Sequence, residues 1–149
     1  MSEAAMRANG FTVTVTDMRR AVAFYSRLFS SSPVIDGGRA VFECGLEVRT
    51  EEEWRSFLSL PSDFAFTRTL AAAGVFVTDE FDALLKILSD SFFEGHVLTR
   101  SAGYVVVIDD DLNSLVITDS GLRHAEAHDE HIYDIGEKAF SHPSDNWKK

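Results

Sequence analysis

The order of the periodic segments restricts the possible folds of this sequence more than any other feature does. Alternating β-branched residues over Phe11–Thr16 predict a half-buried strand, and Asp17 directly after it is a favourable helix N-cap. Apolar residues then recur at helical spacing over Met18–Phe29, which predicts an amphipathic helix of about three turns. Three short strand-like runs follow: Val34–Asp36, Arg39–Phe42 and Leu46–Arg49. The first half is therefore predicted to have the order βαβββ.

A two-residue turn and a helix start signal complete the first half. Gly37-Gly38 between two short strands predicts a β-hairpin. Thr50 followed by Glu53 has the spacing of a capping box, which predicts a short helix after the last strand. The run Leu-Pro-Ser-Asp at 60–63 then interrupts the periodicity, so we predict a linker there.

The same order of segments recurs in the second half. A strand-like run over Ala71–Val77 leads into Val-Thr-Asp, the tripeptide that also ends the first strand 62 residues earlier. Apolar residues at helical spacing from Phe81 to Leu88 predict a second helix. Three predicted strands follow, the last two joined by a polar turn at 109–113: Val97–Thr99, Tyr104–Ile108 and Ser114–Thr118.

Two modules of this kind predict one α+β domain built by duplication. A single βαβββ module leaves one apolar sheet face uncovered, and a second module can cover it. We expect residues 1–120 to form this domain, with repeats at 10–60 and 71–119. Residues 121–149 are predicted to add a C-terminal helix and a flexible tail.

Charge and the single cysteine exclude several classes of protein. The 149-residue chain has 14 Lys and Arg against 24 Asp and Glu, a net charge of −10. Nucleic acids and anionic membranes bind basic surfaces, so neither is an expected partner. The lone Cys44 rules out an internal disulfide, and its place in a strand-like run predicts a buried thiol. The longest apolar run, Leu70–Val77, is far shorter than a membrane span, so we predict a cytoplasmic protein.

Four short stretches carry motifs that occur together in one known superfamily. The most specific, at 15–25, is a strand end, an Asp, a few residues, an Ala and then Phe-Tyr on the first helix. The others are Phe-Glu-Cys-Gly-Leu at 42–46, Asp-Glu-Phe-Asp at 79–82 and a polar turn at 108–115. Over residues 10–120 the chain thus resembles the vicinal oxygen chelate superfamily, which contains glyoxalases, bleomycin resistance proteins and extradiol dioxygenases.

The resemblance implies an open, cup-shaped mixed sheet made of two βαβββ modules, often in a homodimer. Catalytic members of the superfamily hold a divalent metal in the cup through His or carboxylate side chains. The positions that match three of these ligands are occupied here by Gly10, by one of Ala71–Ala73 and by Val116. Glu47 alone remains as a carboxylate able to bind a metal. We therefore expect no metal in the cup and no cofactor, with a divalent metal as the alternative.

Alternation along the strands indicates which side chains would face the cup. Thr12 and Thr14 share a strand face with Gly10, and Glu47 shares one with Arg49. Aromatic surface beside a few polar groups is typical of a small-molecule pocket. The predicted ligand-binding residues are Thr12, Thr14, Glu47, Arg49, Trp54 and Tyr104. In the alternative interpretation, the two aromatic residues belong to the core and the charged residues form a solvated pair.

Three histidines stand together in the C-terminal segment. His124, His128 and His131 are spaced four and then three residues apart, so a helix would place them on one face. A pair of imidazoles at this spacing is able to bind a transition metal. The alternative is a polar helix whose histidines simply pack or face water, and the acidic neighbours Glu126 and Asp129 favour it.

These observations support three hypotheses for the function. In the first, the protein resembles bleomycin resistance proteins and binds a small, partly apolar molecule in a metal-free cup. In the second, it is a metal-dependent lyase, isomerase or dioxygenase of the same superfamily. In the third, side chains fill the cup and the chain is a protein–protein interaction module. The substituted ligand positions favour the first hypothesis over an enzyme.

Overall fold

The computed structural model describes residues 6, 9–66 and 73–121. The chain divides into two compact units, Met1–Thr69 and Leu70–Lys149. Beyond Gly121, the predicted C-terminal segment lies outside the described residues, as do its three histidines and the first two residues of the predicted strand 71–77.

Among the described residues, the first unit contains four strands and two helices. They are β1 (Phe11–Val15), α1 (Met18–Phe29), β2 (Val34–Asp36), β3 (Arg39–Val41), β4 (Leu46–Thr50) and α2 (Glu51–Phe57). The strand order in the sheet is β1-β4-β3-β2, with β1 parallel to β4 and the other neighbours antiparallel. This arrangement confirms the predicted βαβββ module with its hairpin at Gly37-Gly38.

The helix α1 begins and ends where the sequence predicts. The Asp17 carboxylate accepts a hydrogen bond from the Arg20 N–H at 3.2 Å, and the left-handed residue Ser30 (φ 49°) ends the helix. Its apolar stripe packs on one face of the sheet, where Tyr25 is fully buried and its ring centroid lies 6.2 Å from that of Phe42. This helix-facing side of the sheet forms the core of the first unit, with Val13, Val15, Ala40, Leu46 and Val48 buried.

The second unit repeats the arrangement. The described part has β5 (Ala73–Thr78), α3 (Phe81–Leu88), a 3₁₀ turn (Ser91–Phe93), β6 (Val97–Arg100), β7 (Tyr104–Ile108) and β8 (Ser114–Asp119). The sheet order is β5-β8-β7-β6, and β5 is parallel to β8. The core side chains are Phe81, Leu84, Leu88, Phe93, Val105, Val107 and Leu115. Because both units have the same strand order and the same parallel pair, the α+β class with two βαβββ modules is confirmed.

The spacing of the two repeats in the structure is one residue longer than the spacing of the shared tripeptide. The first helical residues are Met18 and Phe81, which are 63 positions apart, whereas the two tripeptides are 62 apart. A shift of one residue moves every strand side chain to the opposite sheet face, so the helix starts give the correct alignment. Thr12 of β1, which pairs with Glu47, therefore matches Val75 of β5, which pairs with Val116.

The start of α3 corrects the expectation raised by the tripeptide. Asp79 does not cap this helix, because Glu80 is the N-cap and makes no side-chain capping bond. The Thr78 hydroxyl accepts the Glu80 N–H at 3.0 Å instead. The second helix thus begins without the carboxylate cap that holds the first one.

The polar turn between β7 and β8 is built around a buried carboxylate. Asp109 Oδ1 accepts hydrogen bonds from the backbone N–H groups of Asp111 and Asn113, both at 2.9 Å. Its Oδ2 accepts one from Asn113 Nδ2 at 2.9 Å. These hydrogen bonds compensate the buried carboxylate within the turn itself. The acidic turn therefore has a structural role, because it joins β7 to β8 in a hairpin.

No helix in the described ranges is both long enough and apolar enough to cross a membrane.

Candidate functional site

The candidate site lies on the face of the first sheet that is opposite α1. In the parallel pairing of β1 and β4, Thr12 lies beside Glu47 and Thr14 lies beside Arg49. On the other side of β4, Arg39 of β3 lies beside Arg49. Because strand neighbours in register share a face, the polar side chains of three strands meet there.

Arg49 is the central residue of this face. Its side chain is only 8% exposed, although guanidinium groups are usually solvated. Its Nε donates to Glu47 Oε1, and its Nη1 lies 3.5 Å from Glu53 Oε1. Two carboxylates thus compensate the buried positive charge, as the low dielectric of a protein interior requires.

Two aromatic rings cover the same guanidinium. Trp54 and Phe57 stack nearly parallel, with ring centroids 5.6 Å apart and an interplanar angle of 10°. The Arg49 Cζ lies 4.3 Å from the Phe57 centroid and 5.2 Å from that of Trp54, within cation–π range. Phe57 nevertheless keeps 62% of its surface exposed. The rings therefore form an aromatic shelf that contacts the cation and also faces solvent.

The start of α2 explains why these rings lie over β4. Thr50 is the last residue of β4 and the N-cap of α2, and its hydroxyl accepts the Glu53 N–H at 3.2 Å. The Thr50 N–H donates to the Gly38 carbonyl at 3.2 Å, which ties the helix start to the hairpin turn. The capping half of the predicted box is thus confirmed, while the Glu53 carboxylate pairs with Arg49.

A second guanidinium extends the row of charges. Arg39 Nη1 lies 3.9 Å from Glu47 Oε2, and its Nη2 lies 3.4 Å from Asp36 Oδ2. The charged row, in spatial order, is Asp36, Arg39, Glu47, Arg49 and Glu53. Signs alternate along it, and it ends in a carboxylate at both ends.

Most of the sequence-predicted ligand-binding residues come together in the first unit. Thr12, Thr14, Glu47 and Arg49 share the face, and Trp54 borders it. Tyr104 lies in the second unit, half-buried on β7 and paired with Thr118. The alternative of a solvated Glu47–Arg49 pair is wrong in one respect, because the pair forms but Arg49 is buried. A role for these residues in binding stays a prediction.

Three residues of this face were not predicted from the sequence: Arg39, Glu53 and Phe57. Arg39 belongs to β3, which was predicted correctly. Alternation continued from Arg49 of β4 back across the turn at 43–45 could have placed Arg39 on this face. Glu53 was assigned only to the capping box, and Phe57 was not among the predicted ligand-binding residues. The spacing of Glu53 and Phe57, four residues apart on α2, is the signal that places them on one helix face.

The donor groups present do not fit the divalent metal site that the resemblance implies. A Cβ atom at Gly10 would lie 2.5 Å from the Gly45 carbonyl oxygen, so no ligand side chain fits there without backbone movement. The matching positions of the second unit are Ala73 and the buried Val116. Glu47 is already bound by guanidinium groups. Within residues 9–66 and 73–121, no three His, Cys, Asp or Glu side chains converge as a metal site.

Cys44 does not lie where the sequence predicted. It occupies an exposed turn between β3 and β4 rather than a strand, next to Gly45 with its φ of 97°. Partial burial of the sulfur still raises the pKa of the Cys44 thiol above its usual 9.0. The thiol is therefore protonated at neutral pH and is a weak nucleophile there.

Several solved structures share this fold at low sequence identity. A glyoxalase/bleomycin resistance protein/dioxygenase family enzyme from Burkholderia phytofirmans PsJN is 14% identical, with a TM-score of 0.57 over 76% of this chain and 98% of that chain. Lactoylglutathione lyase from Agrobacterium tumefaciens is 21% identical, with a TM-score of 0.53 over 77% and 95%. A protein of unknown function from Agrobacterium tumefaciens str. C58 is 20% identical, with a TM-score of 0.58 over 78% and 96%.

No protein-family model and no curated protein sequence matches the chain. The structural likenesses show that the chain has a vicinal oxygen chelate-like fold, as the sequence motifs implied.

Proposed function

We propose that this protein binds a small, partly apolar molecule on the charged and aromatic face of its first unit, without a divalent metal. The observation that carries this proposal is the environment of Arg49, a nearly buried guanidinium held between two carboxylates and under an aromatic shelf. A few fixed polar groups beside aromatic surface are the usual ingredients of a small-molecule site. The name of one structural neighbour includes bleomycin resistance, which agrees with a binding role by analogy of fold.

The polar groups of this face suit recognition better than proton transfer. Glu47 and Glu53 both contact Arg49, and Glu47 lies close to Arg39 as well. Carboxylates engaged in this way are held in place and keep their charge compensated. Such a row presents donors and acceptors in fixed positions, which gives orientation and specificity to a bound molecule.

The apolar part of the proposed site is the exposed surface of the aromatic shelf. Phe57 is 62% exposed while its ring contacts both Trp54 and Arg49. A ring that is packed along one side and open to solvent elsewhere gains by stacking with an apolar or aromatic ligand. This feature explains why the proposed ligand is partly apolar.

Metal analysis tests the metal-free part of the proposal. The full chain is purified, incubated with Zn²⁺, Mn²⁺ or Ni²⁺, dialysed and analysed for bound metal. Because Glu47 is held by guanidinium groups, we expect no bound metal that depends on Glu47, so the wild type and Glu47→Gln should retain the same amount. A stoichiometric metal that survives dialysis and is lost in Glu47→Gln would overturn the metal-free proposal and favour the enzyme hypothesis.

A fragment panel tests the binding part. Neutral, anionic and cationic aromatic molecules are screened by NMR, with the indole N–H signal of Trp54 assigned through Trp54→Phe. We expect bound fragments to shift this signal and to bind Phe57→Ala more weakly. The control variant is Leu98→Ala, which removes an exposed apolar side chain of the second unit and should leave binding unchanged. The proposal fails if no fragment shifts Trp54 or if Phe57→Ala binds as well as the wild type.

We also propose that the chain forms a homodimer in the cytoplasm, with neither nucleic acid nor membrane as a partner. The superfamily that the sequence motifs resemble often forms dimers, which supports the homodimer, and the net charge of −10 disfavours nucleic-acid and membrane partners. Sedimentation velocity tests the oligomeric state, and a monomer at micromolar concentration would contradict it.

A further inference from the structure

The contacts of Arg49 leave part of its guanidinium without an acceptor. A guanidinium has five N–H donors, and the two ion pairs of Arg49 engage Nε and Nη1. Within the part of the chain that the structure describes, Nη2 donates no hydrogen bond. The Arg49 side chain as a whole is only 8% exposed, so most of its surface is shielded from bulk water. Buried donors without acceptors are unfavourable, and a bound molecule is one way to satisfy them.

The charge balance around Arg49 indicates that this acceptor is neutral. The charged row contains three carboxylates and two guanidinium groups, so it already carries one excess negative charge. An anionic ligand at Arg49 would lie beside Glu47 and Glu53 and would be repelled by both. A carbonyl oxygen accepts hydrogen bonds from a guanidinium without adding charge.

The geometry of the aromatic shelf indicates that the ligand is planar. The Trp54 and Phe57 rings lie within 10° of parallel, and the guanidinium of Arg49 lies within cation–π distance of both. Flat ligand rings gain most by offset stacking on such a surface. A ring that stacks on the exposed part of Phe57 also lies close to the charged row.

We infer that the site takes a neutral planar molecule whose ring stacks on Phe57 and whose carbonyl oxygen accepts hydrogen bonds from Nη2 of Arg49. Its chemical class is a lactam or a cyclic ketone fused to an aromatic ring. This inference rests on the proposed binding function and specifies the ligand class for the same site.

Three probes of similar size and different polarity test the inference. They are 2-quinolone, a neutral lactam; naphthalene, which has no acceptor; and 2-naphthoate, an anion. Dissociation constants come from NMR titration of the full chain. We expect 2-quinolone to bind about tenfold more tightly than naphthalene, the effect of one hydrogen bond to a charged donor, and more tightly than 2-naphthoate. The guanidinium signal of Arg49 should shift with 2-quinolone and not with naphthalene.

Two variants separate the hydrogen bond from the stacking contact. Arg49→Lys keeps the charge and removes the planar fork, so 2-quinolone should lose its tenfold advantage while naphthalene binding is unchanged. Phe57→Ala alters an exposed side chain and should weaken 2-quinolone and naphthalene to the same extent. Leu98→Ala should affect neither probe. If Arg49→Lys does not fold, the ranking of the three probes and the guanidinium shift decide the question in the wild type.

Two kinds of result would contradict the inference. It fails if naphthalene or 2-naphthoate binds as tightly as 2-quinolone, or if Arg49→Lys retains the preference for the lactam. If 2-quinolone fails while other fragments of the panel still shift Trp54 and depend on Phe57, the inference is wrong and the proposed function stands. If no probe and no panel fragment binds, both are wrong.

Discussion

The two units have the same strand order but differ on one sheet face. Their helix-facing sides are both apolar, as Val48 of β4 and its match Ile117 of β8 illustrate. On the opposite face the first unit presents Thr12, Thr14, Glu47 and Arg49, and the matching residues of the second unit are Val75, Val77, Val116 and Thr118. The shared fold therefore depends on the helix-facing side, and the other side is free to acquire different chemistry.

The difference also shows what makes a charged sheet face stable. Arg49 is buried in the first unit because α2 directly follows β4 and supplies Glu53 and the aromatic shelf. At the position that matches Arg49, the second unit has Thr118, whose hydroxyl donates to the Phe76 carbonyl at 3.2 Å. Charge on this face is thus tolerated only where partners are built around it.

The largest expected effect comes from introducing into the second sheet a carboxylate at the position that matches Glu47. Val116→Glu puts a carboxylate at the position that matches Glu47, but Val116 is 3% exposed and has no guanidinium beside it on β8. We expect a loss of about 3–5 kcal/mol in the free energy of unfolding, measured by urea denaturation. The reciprocal change Glu47→Val leaves Glu53 to pair with Arg49 and should cost less, about 1–3 kcal/mol. Equal costs would mean that the two faces do not differ in this way.

The next effect concerns two matching positions, Gly10 directly before β1 and Ala73 at the start of β5. In Gly10→Ala, the new Cβ would lie 2.5 Å from the Gly45 carbonyl oxygen, and we expect a loss of about 1–3 kcal/mol. The matched change Ala73→Gly introduces no clash and should cost about 0.5–1 kcal/mol through chain entropy alone. Thermal and urea unfolding of both variants measures the difference. A Gly10→Ala protein as stable as the wild type would show that the backbones are not in close contact there.

A smaller effect compares the helix caps. Asp17→Ala removes the carboxylate that accepts the Arg20 N–H, which should cost about 1 kcal/mol. Glu80→Ala removes an N-cap side chain that makes no capping bond, so its effect should stay within about 0.5 kcal/mol. Urea denaturation followed by circular dichroism measures both values. The proposed asymmetry of the caps is contradicted if Glu80→Ala is the more destabilising change.

The smallest effect is a pH dependence confined to the first unit, which contains the only cysteine. Burial raises the pKa of the Cys44 thiol, so alkylation by iodoacetamide should have its midpoint at a higher pH in the folded protein than in the urea-unfolded chain. The fold favours the protonated thiol, so its contribution to stability is complete below pH 9 and declines above it, where the unfolded chain ionises first. Cys44→Ser serves as the unlabelled control. A midpoint in the folded protein at or below that of the unfolded chain would show that the thiol is not desolvated.

Local signals predicted most of the fold. The limits of α1 follow from the Asp17 cap, the apolar spacing and the stop after Phe29, all of which act within a few residues. The hairpin at Gly37-Gly38 follows in the same way from its glycine pair, and of these two glycines Gly37 has a positive φ of 61°. Cys44 was predicted to be buried in a strand-like run, although it stands between the two predicted strands 39–42 and 46–49, where the exposed turn at 43–45 lies.

The candidate site was only partly predictable. Side chains on a strand have a period of two. Alternation was therefore enough to predict that Thr12 and Thr14 share one face of β1 and that Glu47 and Arg49 share one face of β4. The register of β1 against β4 decides that both pairs lie on the same face of the sheet. This pairing joins residues 35 positions apart, as Thr14 and Arg49 show. No local pattern in the sequence encodes it.

By itself, the sequence determined the helices, the strands and the duplicated order, because hydrophobic period and capping are properties of short segments. Only the tertiary structure decided that Arg49 is buried, that Glu53 and Phe57 surround it, and that the two repeats are offset by 63 residues rather than 62. The physical reason is that the burial of a charge depends on the distant segments that pack around it. Strand pairing and helix placement set those neighbours.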